Sequence, residues 1–239
     1  KFAISDGALE STAAGSVGVG SSALQALTTG SDNVAVGYQA SDAVTTGSRN
    51  TSLGHQSLTS ISTASDMTAI GFLAGASASS GQTDTNGSTF IGSSAGRVLS
   101  DGQYNTLVGY GSGWEAATGN YGLTTGDANT AVGYLTLGGS AAANITGSSN
   151  TVMGYRAGYD LQGAASGNTA VGKDALLAVT TGSENVAIGY LALDALQATG
   201  SNVAIGSGAL SASTNGHNNV VIGADCGDDA TDVGYAVII

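Results

Sequence analysis

Apolar residues come along this chain in short bursts, most of them opened by an asparagine and each closed by a glycine. Asn33-Val34-Ala35-Val36-Gly37, Asn129-Thr130-Ala131-Val132-Gly133 and Asn185-Val186-Ala187-Ile188-Gly189 are three of them. Between bursts the chain is small or polar, mostly Gly, Ser, Thr and Ala with isolated Leu. Period-two alternation inside a burst puts Val186 and Ile188 on one face and Ala187 on the other, which predicts a β-strand. The bursts also keep time. Their closing glycines are Gly20, Gly37, Gly54, Gly71, Gly92, Gly109, Gly133, Gly154, Gly172, Gly189, Gly206 and Gly223, spaced by 17, 17, 17, 21, 17, 24, 21, 18, 17, 17 and 17 residues. Asparagine stands four places earlier at Asn33, Asn50, Asn105, Asn129, Asn150, Asn168, Asn185, Asn202 and Asn219. A 17-residue unit is thus repeated about twelve times, with its main insertions between residues 71 and 154.

A period this short excludes helical repeats, which need roughly 33 to 47 residues for two packed helices. Fully extended, the unit spans ~56 Å at ~3.3 Å per residue. Folded back once, it makes two strands of about five or six residues and two turns. Stacking such coils at ~4.8 Å predicts an all-β fold, a parallel β-solenoid about 57 Å long. In it Val186, Ile188 and their copies fill a continuous aliphatic ladder, and Val, Ile and Ala enclose a core only ~10 Å thick. The closing glycines allow positive φ or close backbone approach at one corner. Thr-Thr-Gly phrases ending at Gly30, Gly47, Gly126 and Gly182 form the other. The recurrent asparagine would bond backbone groups of the adjacent coil and stack on its own copies. The absence of proline fits a chain in which interior coils donate to ladders. Residues 192–198 are locally helix-like, but the flanking register assigns them to a coil. The division is a lead-in at 1–15, the solenoid at 16–223, and a cap or connection at 224–239.

Composition narrows the function. Only 9% of residues are charged, against about 25% in an ordinary domain. Five basic residues (Lys1, Arg49, Arg97, Arg156, Lys173) face 17 acidic ones, for a net charge of −12. That balance excludes nucleic acid and anionic membrane surfaces as partners. A single cysteine, Cys226, excludes an intrachain disulfide framework and a multi-cysteine zinc site. No apolar run reaches the ~18 residues of a membrane helix, and no leader pattern is present, so no membrane insertion is expected. A core this thin is marginal for a lone chain, and threefold association would bury a second face, so a homotrimer is expected.

Residues 31–40 (SDNVAVGYQA), 128–137 (ANTAVGYLTL), 167–176 (GNTAVGKDAL) and 184–193 (ENVAIGYLAL) resemble the NTAVGYxAL repeats of phage tail-fibre proteins. They are also similar to the head repeats of trimeric autotransporter adhesins, whose chains form left-handed parallel β-rolls packed three around an axis. The adhesin repeat reads NSVAIG, with asparagine one place further from the glycine, so the fibre repeat is the closer match. This resemblance covers roughly residues 16–223. It implies a non-enzymatic tail-fibre segment of a virion that presents a surface to a host glycan or protein receptor. A bacterial surface adhesin or other extracellular fibre is the alternative.

Other patterns weigh less. Gly18-Val19-Gly20-Ser21-Ser22-Ala23 imitates a dinucleotide loop, but a 17-residue period leaves no room for the ~30-residue βαβ unit. Gly92-Ser93-Ser94-Ala95-Gly96 imitates a nucleophile elbow, but Gly92 is the repeat glycine and the chain has only His55 and His217. No enzyme is expected, and no cofactor. Asp225, Asp228, Asp229 and Asp232 would suit Ca²⁺, though the spacing matches no calcium loop and a solvated cap is the preferred reading. Tyr38, Tyr110, Tyr134, Tyr155 and Tyr190 follow the repeat glycine and are expected to pack across coils rather than bind sugars. The longest insertion holds Trp114, Glu115 and Tyr121, the candidate receptor-binding residues, with Trp114 alternatively filling a gap between chains. Ice binding would need a regular Thr-x-Thr ladder, whereas the Thr-Thr pairs lie beside a corner glycine.

Overall fold

The computed structural model describes residues 2–4, 14–76, 86–115, 121–139, 144–228 and 234–239, the first segment and residues 115 and 121 as backbone only. Fourteen strands form one sheet in chain order, from Phe2–Ile4 to Val237–Ile238, and every pairing within it is parallel. The chain is a parallel β-solenoid of about twelve coils of ~17 residues. No helix occurs among the described residues, and 192–198 is turn and coil. Register survives the longer spacings: Thr68 pairs with Thr89 across 21 residues, and Thr106 with Thr130 across 24. Extra residues therefore leave the coil without shifting the ladder.

Each coil holds one strand of three residues, such as Val34–Val36 or Val186–Ile188, not two of five or six. The return limb is a run of turns in which alternate residues are left-handed. Gln56 and Leu58 have φ of 54° and 53°, and Leu191 and Leu193 have 55° and 51°. Such angles cost a non-glycine residue roughly 1–2 kcal/mol each. They are offset because they aim successive N–H groups at both neighbours: Gln56 donates back to Tyr38 O (2.8 Å) and Leu58 forward to Ala74 O (3.0 Å). The limb thus continues the inter-coil hydrogen bonding without being extended.

The strand faces also differ from expectation. Ala35, Ala131, Ala170, Ala187 and Ala204 are fully buried, whereas Ile188 is 38% exposed. The small middle residue points inward and the Val/Ile pair points out, so the interior is mainly Ala and Leu rather than the expected Val, Ile and Ala. Leucines of the return limb explain this. Leu58, Leu176, Leu193 and Leu210 fill the interior opposite the strand, leaving room for one methyl beside them. Where the middle residue is large, the limb yields. Gly113 faces Leu107 and Gly158 faces Val152, and a Cβ on either would lie only 2.7 Å and 2.9 Å from those side chains.

A column of buried asparagines joins the coils. The Asn168 amide donates to Asn150 Oδ1 (3.1 Å) and Gly182 O (3.0 Å), while its Oδ1 accepts from Asn185 N (3.0 Å) and Nδ2 (3.1 Å). The pattern runs from Asn105 to Ala236 N, and from Asn33 to Met67 N. Ser16, Met67 and Ser88 stand where the asparagine is missing; Ser16 and Ser88 offer hydroxyl acceptors to Asn33 N and Asn105 N. The repeat glycines line the adjoining corner: a Cβ on Gly37 (φ 142°) would collide with the carbonyl of Gly54.

Urea unfolding should therefore show Asn168→Ala destabilised by about 2–4 kcal/mol, because buried donors and an acceptor lose their partners. Ala187→Leu should cost roughly 1–3 kcal/mol by overpacking the interior. If Ala187→Leu proved neutral, the assignment of the inner face would be wrong.

Candidate functional site

The chemistry of this solenoid is arrayed in rows, because every side chain stacks on its equivalent one coil away. The first row lies on the outer face of the sheet. There Leu53, Ile70, Ile91, Met153, Ile188 and Ile222 are 37–48% exposed. Beside them, Thr51, Thr68, Thr89, Thr106, Thr130, Thr151 and Thr169 pair consecutively through seven coils. A search for Thr-Thr pairs overlooks this row, which is visible only once bursts are aligned as Thr-x-aliphatic. The strands from Val17 to Ile222 that build this face carry no charged side chain.

The second row is aromatic and follows the closing glycine. Tyr38, His55 and Phe72 stack with ring centroids 5.1 Å and 5.3 Å apart. Tyr110, Tyr134 and Tyr155 stack at 5.4 Å and 5.1 Å, within 12° of parallel. The interior rings His55 and Tyr134 have a neighbour on each face, so these two offer a sugar no face. Two coils break the row. Lys173 sits between Tyr155 and Tyr190, its ammonium 5.8 Å and 5.2 Å from their rings, and Ser93 sits between Phe72 and Tyr110.

Basic residues are placed against acids or rings one coil away. Arg49 makes a bidentate pair with Asp66 (2.6 Å and 2.7 Å), whose hydrogen bonds hold the Asp66 carboxyl below its ordinary value. Arg156 bonds Asp174 (2.8 Å), which raises the guanidinium further. The Arg97 guanidinium lies 4.8 Å over the Trp114 ring.

Trp114 is 5% exposed and packs within its own chain, so its ring is not a solvent-facing platform for a receptor. Trp114–Glu115 pairs antiparallel with Tyr121–Gly122 as a hairpin, with Glu115 opposite Tyr121. Residues 116–120 and most of the inserts at 77–85 and 140–143 lie outside the described residues. So do Asp229 and Asp232. Asp225 and Asp228 are exposed, and among the described residues no group of three His, Cys, Asp or Glu gathers as a metal site. Ser94 is buried at 4%, while His55 belongs to the aromatic row and His217 packs edge-on to Tyr235. The two serine–histidine elements are not brought together. Gly18–Ala23 is strand and turn with no helix behind it.

A feature missed from sequence is a set of carboxylates held in the return limb. Asp42, Asp160 and Asp194 each carry a buried Oδ1 with no hydrogen-bond partner. Burial pushes the Asp42 and Asp194 carboxyls above their ordinary value, against hydrogen bonds from their own and the next N–H.

Fold and surface together define a single-strand parallel β-solenoid whose exposed chemistry is periodic. Compared with protein-family models, with curated proteins and with solved structures, the chain matches none.

The raised carboxyls fix a sign for pH. A group whose folded pKa exceeds its unfolded value contributes its stability below the unfolded pKa and loses it as pH rises through the folded one. Asp42→Asn with Asp194→Asn should thus make the fold more stable at pH 7. The gain should vanish in acid, where the native carboxyls are protonated; thermal unfolding across pH 3–7 measures it.

Proposed function

We propose that this chain is a structural, non-enzymatic fibre segment of the phage tail-fibre type, which assembles as a homotrimer and presents a host-receptor surface on its insertions. The observation that carries the reading is the outer face of the sheet. It is repetitive, apolar at Leu53, Ile70, Ile91, Met153, Ile188 and Ile222, and free of charge. Thirteen spacings make it roughly 60 Å long. Three extended residues wide, the strip covers on the order of 600 Å², at the upper end of what a lone soluble chain exposes. Association about a threefold axis parallel to the solenoid would bury equivalent strips at every coil.

Tail-fibre-like repeats in residues 31–40, 128–137, 167–176 and 184–193 support the virion reading over a bacterial adhesin, the alternative of the same architecture. Receptor contact falls to the insertions because most of the coil surface repeats from one step to the next. The receptor is a glycan or protein of the host cell surface, and three copies on one fibre would add avidity to weak single contacts. An ice-binding face is less well supported, since the second row is Leu, Ile, Val and Met rather than Thr.

Sedimentation equilibrium should return three times the 23.0 kDa of one chain. Ile188→Asp combined with Ile205→Asp should reduce it to a monomer or unfold it, as six carboxylates would be brought to one axis. A folded, stable monomer of the native chain would overturn the assembly. Fluorescent trimer should bind susceptible bacteria saturably; uniform non-saturable attachment would overturn the receptor role.

A further inference from the structure

We infer that the break in the aromatic row at Ser93 is a binding slot for a planar cation, the guanidinium of an arginine presented by a partner. The coils of Phe72, Ser93 and Tyr110 are consecutive. Ser94 N donates to Phe72 O (2.8 Å), Gly111 N donates to Ser93 O (3.0 Å), and Ile70, Ile91 and Val108 align in one ladder. Phe72 and Tyr110 therefore face each other across one missing ring. Both are the ends of filled stacks, with His55 behind Phe72 and Tyr134 behind Tyr110. Both rings are exposed, at 51% and 48%.

Two coil spacings set the rings roughly 9.6 Å apart. A flat group entering midway lies ~4.8 Å from each centroid, inside the ~6 Å range of a cation–π contact on both sides. A flat group matches the rings that fill this rung in other coils, and Ser93 supplies a small floor. Charge selects a cation. The chain carries −12 overall. At the other break, Lys173 already places its ammonium between two tyrosines, so this row accepts positive charge in a missing rung. Among the described residues no basic side chain stands over Phe72, and Arg97, the nearest basic residue in sequence, is committed to Trp114. Guanidinium is preferred to ammonium because it is flat and weakly hydrated. The slot exists whether or not the chain trimerises.

Only three phenylalanines occur, and of the two with described side chains Phe90 is buried and Phe72 exposed, so ring-labelled phenylalanine isolates the reporter. Titrating N-acetyl-arginine methylamide into the full chain should shift the Phe72 ring signals saturably in the millimolar range and leave Phe90 still. The neutral citrulline analogue should bind at least ~5-fold more weakly, the loss of about one cation–π contact. Ser93→Tyr installs the residue that five other coils carry there, so it should fold, extend the stack and abolish the shift. Phe72→Ser should abolish binding from the other side, read from tyrosine ring signals. Non-saturating shifts, an equal response to citrulline, or binding retained in Ser93→Tyr would each overturn the slot.

Discussion

Every coil of this protein must offer the next one the same hydrogen-bonding edge, and the buried asparagine column is where that requirement is strictest. An amide inside a protein costs about 1–3 kcal/mol if left unpaired. Along the column's longer run each amide is satisfied through its neighbours in the adjoining coils, as Asn168 is between Asn150 and Asn185. Slipping one coil by a single residue would strand several polar groups and turn the strand's buried face outward. Register is therefore enforced at every step along the axis. Insertions are tolerated only where they bulge out whole, as the intact pairing of Val108 with Val132 demonstrates.

Stacking in register also accounts for the composition. Whatever occupies a position meets its own copy ~4.8 Å away, where like charges repel by roughly 1 kcal/mol even in water. Residues that attract their own kind are retained: amides bond, rings stack, threonines and aliphatics pack. Charges survive singly, beside an opposite charge or a ring one coil along, as Arg49 does with Asp66 and Lys173 with Tyr190. The low share of charged residues is thus a consequence of one-dimensional repetition rather than of a buried or membrane environment.

The period and the coil boundaries were legible because insertion-tolerant stacking preserves the asparagine and glycine at each step. Which strand face is inside was not. A three-residue alternation such as Val186-Ala187-Ile188 separates two faces without naming the inner one. The deciding information lies outside the burst, in the return-limb leucines and in compensating pairs such as Leu107 with Gly113. The second strand was misjudged for a different reason. Leu58 and Leu193 adopt φ near 50° against their intrinsic preference, and only the neighbouring coils make that affordable. Trp114 stood out as the only tryptophan, yet burial under Arg97 removes its ring from the surface. Ser93 was dismissed with a spurious nucleophile motif, because its meaning depends on the rings above and below.

Repetition that stabilises the coils also makes most of their surface uninformative. A partner meeting Tyr134 finds another stacked tyrosine one coil away on either side, and a sheet strip of Thr and Ile presents the same contact at each step. Recognition of one place along the axis requires a departure from the repeat. Three kinds occur among the described residues: added chain, as in the Trp114–Glu115 hairpin; a changed side chain in a row, as at Ser93 and Lys173; and a missing asparagine, as at Met67. The last is buried and can tune only stability. Selection for a specific partner can therefore act on the insertions and on the broken rungs while leaving the ladder that holds the fold untouched. That separation lets one scaffold carry changing surfaces at little cost to its folding.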